Sequence, residues 1–312
     1  MQQLAVLLRL CARHGRLILV AGLIAGVALP GFAAALKQWL PEMVAALLFI
    51  AALRIGPRQA AGSLSDIRTS LVILGLYQLA LPCALAFAFA IAGITAPLAV
   101  ALILMSAAPS IAGSPNLTLL AGGDPAPALR LMILGTAILP LTVIPVFWLS
   151  PVLSDPGDIV TASGRLMALI AIAAVAAFVL RRAFLRDPSL QTLQAIDGLS
   201  ALSMAIVVVG LMSAIGPALR ENPADLAVTL MFAFAANFGL QIAARFGLRK
   251  FSPASELPAK SIVAGNRNIA LFLAALPAAT TDPVLLFIGC YQVPMYLTPL
   301  LLGWLYRRRS GP

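Results

Sequence analysis

The chain contains ten apolar runs, each bounded by charged residues or by proline and glycine. They fall at 17–36, 41–55, 69–92, 97–121, 127–149, 161–181, 194–216, 224–244, 260–280 and 283–306. A helix needs about 20 mainly apolar residues to cross a bilayer. The pattern therefore predicts an all-α polytopic membrane protein with ten transmembrane helices. Residues 1–312 then form a single membrane domain.

The composition excludes several classes of protein. Of the 312 residues, 61% are hydrophobic and only 10% are charged, against roughly 25% charged in soluble domains. Too little polar surface remains for a soluble enzyme, a disordered chain or a nucleic-acid-binding protein. Because His14 is the only histidine and the three cysteines are scattered, we expect neither a metal site nor a cofactor.

The basic residues predict the topology. With the N-terminus inside, 17 of the 21 Lys and Arg residues fall in cytoplasmic loops and ends, as the positive-inside rule requires. Only Lys37, Arg165 and Arg220 fall outside, and Arg267 lies within a helix. We therefore expect an integral protein of a bacterial-type inner (plasma) membrane, with both termini cytoplasmic. The net charge of +10 then reflects topology rather than an acidic partner.

Ten passes divide into two halves of five, at 15–150 and 160–306. Because five is odd, related halves would enter the membrane from opposite sides as inverted repeats, a common plan of secondary transporters. In such proteins the site lies near the midplane, where paired helices are interrupted. The fourth segment of each half is the most irregular one.

In the first half, Pro109, Gly113 and Pro115 interrupt the fourth segment, and Ser114 and Asn116 place polar groups beside the break. Prolines remove helix donors, and an open helix in hydrocarbon must line protein or a wet cavity. Each feature has a structural alternative, since proline and glycine are frequent in membrane helices.

In the second half, the matching interruption consists of four consecutive residues: Gly265, Asn266, Arg267 and Asn268. Arg267 lies seven residues beyond Lys260, about 10 Å deeper at 1.5 Å per residue. A charge at that depth is costly and predicts a functional role. Arg267 would bind substrate or take the place of a cation. Alternatively, it would form a structural salt bridge with Asp197 or Asp124. Gln78, Asn237, Gln241 and Gln292 are interpreted first as interhelical hydrogen-bonding groups, with ligand binding as the alternative.

These motifs resemble those of the bile acid:sodium symporter family. The stretch Ala108-Pro-Ser-Ile-Ala-Gly-Ser114 is similar to the family's Cys-Pro-Gly-Gly-Thr-Ala-Ser-Asn segment. It continues to Gly-Gly-Asp124, as the family's segment continues to Gly-Asp or Gly-Asn. Gln78-Leu-Ala-Leu-Pro82 resembles its Gln-x-x-x-Pro helix, and Ile262-Val-Ala-Gly-Asn-Arg-Asn268 its Ile-Glu-x-Gly-x-Gln-Asn helix. The resemblance implies a panel domain of helices 1, 2, 6 and 7. It also implies a core domain of helices 3–5 and 8–10, with broken helices 4 and 9 crossing.

The departures from the family pattern concern its sodium sites. The resemblance implies a glutamate where this chain has Val263, a glutamine where it has Arg267, and an asparagine where it has Pro115. Hard cations favour carboxylate oxygens, and a guanidinium reverses the local charge. We therefore predict no family-type sodium site, with Arg267 occupying the cation's place and attracting an anion.

The sequence thus predicts a secondary transporter of a small organic anion that works by alternating access and is not an enzyme. The expected binding residues are Gln78, Ser114, Asn116, Thr136, Asn266, Arg267 and Asn268. We expect uniport or H⁺-coupled transport in preference to Na⁺-coupled transport. Two alternatives stay open: a sodium-coupled symporter with altered ligands, and a transport-inactive membrane sensor or scaffold. The bilayer is the only other expected partner, and the oligomeric state is open.

Overall fold

The computed structural model describes residues 2–150, 153 and 155–306. Within that part of the chain every regular element is helical. The helices of the first half are α1 (Gln2–Arg13), α2 (Gly15–Ala28), α3 (Pro30–Lys37), α4 (Leu40–Gly62), α5 (Ile67–Leu74), α6 (Leu81–Ile91), α7 (Pro97–Ala107), α8 (Ser114–Leu120) and α9 (Pro125–Leu149). A 3₁₀ turn (Ser63–Asp66) precedes α5, and a π-helical turn (Gly75–Ala80) joins α5 to α6.

The second half continues in the same way. Its helices are α10 (Pro156–Phe184), α11 (Leu190–Leu211), α12 (Ile215–Glu221), α13 (Pro223–Gly247), α14 (Leu257–Gly265), α15 (Ala278–Thr281), α16 (Leu285–Leu301) and α17 (Gly303–Tyr306). Its 3₁₀ turns are Met212–Ala214, Ile269–Ala274 and Asp282–Val284.

Seven helical stretches in the described residues are long and apolar enough to cross a membrane. They are Leu40–Gly62, Ile67–Ile91, Pro125–Leu149, Pro156–Phe184, Leu190–Glu221, Pro223–Gly247 and Ala278–Leu301. An eighth is gained if Gln3–Arg13 and Leu17–Ala28, bent by 83°, count as one span. Helices of this length and composition are those of an integral membrane protein, which confirms the predicted all-helical membrane class.

Two helix boundaries differ from the sequence expectation for simple backbone reasons. The sequence predicts one helix for the first apolar run, but α2 ends before Leu29 and α3 begins at Pro30. Proline lacks the N–H that would continue the ladder and disfavours helical geometry in the residue before it; Leu29 has φ −119° and ψ 66°. The second run continues past its expected end and bends at Gly56, which has φ 73°.

The chain forms two compact units. The first comprises Met1–Gly62, Gly164–Leu226 and Ala270–Gly289. In it α11 packs on α1, α2, α3 and α4, and Gly22 faces the backbone of Ala205 so closely that a Cβ would lie 2.8 Å from its carbonyl oxygen. Small residues allow such close helix packing in membranes. Ile50, Leu53, Ala177 and Ile196 form a buried cluster in this unit.

The second unit comprises Ser63–Ser163, Ala227–Ile269 and Cys290–Pro312. Its main described apolar cluster draws on α5, α9, α13 and α14 and contains Ile73, Leu74, Leu131, Leu248 and Val263. Two interrupted helices run through this unit. One is α7 and α8, separated by residues 108–113; the other is α14, followed by the non-helical residues 266–268.

Candidate functional site

The two helix interruptions meet in the second unit and are hydrogen-bonded to each other. The backbone N–H of Ile111 donates to the carbonyl of Asn266 at 3.1 Å, and the N–H of Asn268 donates to the carbonyl of Pro109 at 2.7 Å. These bonds form an isolated antiparallel bridge between Ser110 and Arg267. Backbone groups freed by the breaks are therefore satisfied inside the protein, as a hydrocarbon environment demands.

Local sequence explains why the breaks occur there. Pro109 and Gly113 lie between α7 and α8, whereas Pro115 lies in the first turn of α8, where a missing N–H has no helical partner to lose. Gly265 ends α14, and a Cβ at this residue would collide with the carbonyl oxygen of Asn237. Only glycine allows α13 to approach α14 this closely.

Arg267 lies at the centre of the crossing and is only 1% exposed. Its guanidinium donates to three backbone carbonyls from separate segments: Nε to Ala264 at 2.8 Å, Nη1 to Ala108 at 3.0 Å and Nη2 to Tyr77 at 3.4 Å. Its Cζ lies 5.2 Å from the centroid of the Tyr77 ring, within cation–π range. The side chain thus connects both breaks to the π-helical turn.

The two carboxylates proposed as partners of Arg267 have other roles. Asp197 belongs to the first unit and forms an ion pair with Arg54 at 2.6 Å. Asp124 caps α9 by accepting from the N–H of Ala126 at 2.9 Å. Among the described residues, Arg267 pairs with no carboxylate. Carbonyl dipoles and an aromatic face therefore surround a buried positive charge.

Beside the second break, amide and hydroxyl side chains form a buried network. Gln241 Nε2 donates to Asn237 Oδ1 at 2.6 Å and to Thr298 Oγ1 at 3.0 Å, and Tyr306 donates to Gln241 Oε1 at 2.7 Å. Asn266 joins it, because its Oδ1 lies 3.3 Å from the Thr298 hydroxyl and its Nδ2 donates to Ile262 at 2.9 Å. The network fixes the end of α14.

Sequence reasoning identified Asn237 and Gln241 as interhelical hydrogen-bonding groups but missed Thr298, Tyr306 and Tyr291. The Tyr291 hydroxyl donates to the carbonyl of Gly265. Thr298 Oγ1 also donates to the carbonyl of Pro294 at 3.1 Å. The available signal was positional: Thr298 follows Pro294 by four residues, where a hydroxyl can satisfy a nearby helix carbonyl.

The other expected binding residues fall into two groups. Ser114 and Thr136 are bonded within the protein: Ser114 Oγ lies 2.5 Å from Ser110 Oγ, and Thr136 Oγ1 donates to Met132 at 2.8 Å. By contrast, the side chains of exposed Asn116 and half-buried Asn268 make no hydrogen bond to another described residue. These two amides are free to contact a ligand.

Gln78 is the unusual member of the set. It is fully buried, and its Nε2 donates to the carbonyl of Gly135 at 3.2 Å. Its Oε1 is buried without a hydrogen-bond partner among the described residues. Because an unsatisfied buried oxygen is costly, about 1–3 kcal/mol, this atom requires an explanation.

A second charged cluster surrounds Lys260, and the sequence analysis does not predict it. Lys260 is only 3% exposed, and its Nζ lies 2.7 Å from Glu256 Oε2 and 2.9 Å from Ser252 Oγ. Arg130 Nη2 adds weak pairs to Asp66 at 3.8 Å and to Glu256 at 4.0 Å. The Glu256–Lys260 spacing of four residues on a helical stretch was the available sequence signal.

No group of three or more His, Cys, Asp or Glu side chains that could hold a metal occurs in the part of the chain that the structure describes. No protein-family model matches the chain, and no curated protein matches it either. The crossing of the two breaks and the buried Arg267 are therefore the features of this chain that bear on its function.

Proposed function

We propose that this chain is a secondary transporter of a small organic anion that works by alternating access. The observation that carries the proposal is Arg267, a buried guanidinium bonded to three carbonyls where two broken helices meet. Broken helices that meet inside a membrane protein are a recurrent plan of transporter sites. An intramembrane charge with no carboxylate partner is a functional feature by default.

The same geometry supports, as a proposal, the resemblance to the bile acid:sodium symporter family. That resemblance implies that helices 4 and 9 are broken and cross. It also implies a panel of segments 1, 2, 6 and 7 and a core of the rest, and the two compact units divide the described chain largely along these lines. We therefore extend the proposal to ten passes in two inverted repeats, with both termini cytoplasmic.

Arg267 also supports the absence of a family-type sodium site. Backbone carbonyls are hard oxygen ligands that suit a metal cation, and here those of Ala108, Ala264 and Tyr77 bind the guanidinium instead. A sodium ion at the same carbonyls would meet a like charge in a medium of low dielectric constant. Arg267 thus supplies permanently the positive charge that a coupling ion would supply transiently, and it leaves an electrostatic attraction for an anion.

We assign substrate contact to the amides that are not used within the protein. The side chains of Asn116 and Asn268 form no hydrogen bond with the described part of the chain, so each can donate to an anionic or carbonyl oxygen of a ligand. Ser114, Thr136 and Asn266 are bonded internally and are positioning residues. Substitution of Asn268 by Ala should therefore weaken transport while leaving stability nearly unchanged.

The first experiment compares thermal stability of the purified protein in sodium chloride and potassium chloride at matched ionic strength. A ligand that binds only the folded state adds about 2.7 kcal/mol at a hundred times its Kd. We expect no sodium effect in the wild type. Arg267→Gln removes the guanidinium and tests whether the freed carbonyls then take sodium. Uptake of an organic-anion panel by sodium-free proteoliposomes follows, with Asn268→Ala compared with wild type.

A sodium symporter with altered ligands is a second candidate, and the unpartnered Oε1 of Gln78 favours it. A cation bound to that oxygen would satisfy it. If sodium stabilises the wild type and Gln78→Leu abolishes the effect, this second function replaces the first. If neither protein responds to sodium and anions move without it, the first proposal stands.

A further inference from the structure

The second unit contains an apolar groove whose lining includes Arg267 but neither of the two amides assigned to the substrate, Asn116 and Asn268. It has a volume of about 360 Å³, within the range of roughly 300–1,000 Å³ that is usual for small-molecule sites. One side is formed by Leu76, Tyr77 and Leu81, and the other by Leu240, Ala244 and Gly247 of α13. Its walls are therefore the outer surfaces of two membrane helices.

The groove offers almost no polar group to a ligand. Tyr77 and Arg267 are its two polar lining side chains, and both are already bonded within the protein. The Tyr77 hydroxyl donates to the carbonyl of Lys260 at 3.2 Å, and the guanidinium binds three carbonyls. A polar substrate would lose its hydration there without compensation, whereas an aliphatic chain would bury apolar surface.

A pair of basic residues lies in the chain between two residues that line the groove. Leu248 and Phe251 line the groove after α13 ends, and the two residues between them are Arg249 and Lys250. Both are exposed, and neither pairs with a carboxylate among the described residues. The nearby Glu256 is held by Lys260, and Phe251 is 81% exposed. Two unneutralised cations thus adjoin an apolar groove at the end of a membrane helix.

We propose that this groove binds an anionic phospholipid, with one acyl chain between α6 and α13 and its phosphate on Arg249 and Lys250. Charge complementarity selects the headgroup, since basic pockets at helix ends recognise acidic lipid headgroups. The apolar walls select the chain. The groove shares Arg267 with the proposed transport site but excludes the substrate amides Asn116 and Asn268, and lipid binding can be measured without transport.

The test measures lipid binding to the purified full chain in neutral detergent, by native mass spectrometry and by thermal stability. Phosphatidylglycerol is compared with phosphatidylcholine of the same chains, and glycerol phosphate is the chain-free probe. We expect phosphatidylglycerol to bind in preference to phosphatidylcholine. Each basic side chain near a lipid surface contributes about fivefold in affinity. The variant Arg249→Gln/Lys250→Gln should therefore reduce that preference by about 25-fold. The control Arg182→Gln/Arg186→Gln, an exposed basic pair on and just after α10, should not.

A matched glycine pair tests the chain site. A Cβ at Gly247 or at Gly239 meets no atom within 4 Å, and both residues lie on α13. Because only Gly247 lines the groove, Gly247→Phe should abolish binding of both lipids, whereas Gly239→Phe should leave binding unchanged. Equal binding of the two lipids by wild type would overturn the proposal. So would full competition by glycerol phosphate, or unchanged binding by Gly247→Phe. If Gly247→Phe does not fold, the charge variants decide the outcome alone.

Discussion

The two helix breaks lie in the same unit, yet they are held in different ways. The first, between α7 and α8, contains no long polar side chain, and its Ser110 hydroxyl bonds to Ser114 and, at 3.3 Å, to the carbonyl of Asn266. The second, after α14, is held from outside by long polar side chains. Asn237 Nδ2 donates to the carbonyl of Gly265 at 2.6 Å, and Tyr291 donates to the same carbonyl.

This difference makes the first break dependent on the second. The carbonyls of Ala108 and Pro109 receive donors from Arg267 and Asn268, and the Ile111 N–H donates to Asn266. The second break has these bonds and additional supports from α13 and α16. The two interruptions look alike in sequence, but more hydrogen bonds stabilise the second than the first. Changes at the second should cost more than changes at the first.

The largest effect is expected for Arg267→Ala. Three carbonyls lose a charged donor, and hydrogen bonds to charged groups contribute about 1.5–3 kcal/mol each, although removing a buried cation recovers several kcal/mol of desolvation. We expect the free energy of unfolding to fall by about 4 kcal/mol, measured by denaturation in bicelles.

Two further arginine variants locate the source of that loss. Arg267→Lys keeps the charge but cannot span three carbonyls with a planar fork, so it should lose most of the same stability. Full stability in Arg267→Lys would show that charge alone matters. Arg130→Ala removes a half-buried arginine with only weak pairs at 3.8 and 4.0 Å, so it should cost less than about 1 kcal/mol.

The next effect compares the glycines of the two breaks. At Gly265 a Cβ would strike the carbonyl oxygen of Asn237 and lie 2.5 Å from Gln241 Cγ, whereas at Gly113 its nearest neighbour is Ile111 Cδ1 at 3.6 Å. Gly265→Ala should therefore destabilise the protein by about 3 kcal/mol through overpacking. Gly113→Ala should change stability by less than about 0.5 kcal/mol. Equal losses at the two positions would refute the proposed inequality of the breaks.

The third effect concerns the amide network. Gln241→Leu removes three hydrogen bonds, to Asn237, Thr298 and Tyr306, and should cost about 2 kcal/mol, because buried partners are left unsatisfied. Tyr306→Phe should cost about 1 kcal/mol. The double variant should cost about as much as Gln241→Leu alone, since the two groups share one bond. Strict additivity in a double-mutant cycle would show that they do not act together.

The sequence predicts those features of the structure that depend only on residues close together in the chain. Run length and composition predict membrane helices, and the all-helical membrane class follows from them. Pro109 and Gly265 show where regular helices are hard to continue, because each acts through its own backbone. The split at Pro30 was equally local and could have been predicted from the proline.

The sequence could not predict which residues, far apart in the chain, contact each other in the fold. Arg54 and Asp197 are 143 residues apart, and no spacing rule joins them. The partners of Arg267 are backbone carbonyls, which every residue carries, so no residue type marks them. The sequence therefore suggests the carboxylates Asp197 and Asp124 as partners of Arg267, whereas carbonyls and the Tyr77 ring compensate its charge in the structure.

The smallest effect tests the first break itself. Ser110 Oγ lies 2.5 Å from Ser114 Oγ and 3.3 Å from the carbonyl of Asn266, so Ser110→Ala removes one good bond and one long one. A neutral hydrogen bond contributes about 1 kcal/mol, and we expect a loss of that size. In the Arg267→Ala background the loss should grow, because the crossing then depends on fewer bonds between the breaks. An unchanged loss in both backgrounds would mean that the first break is supported on its own.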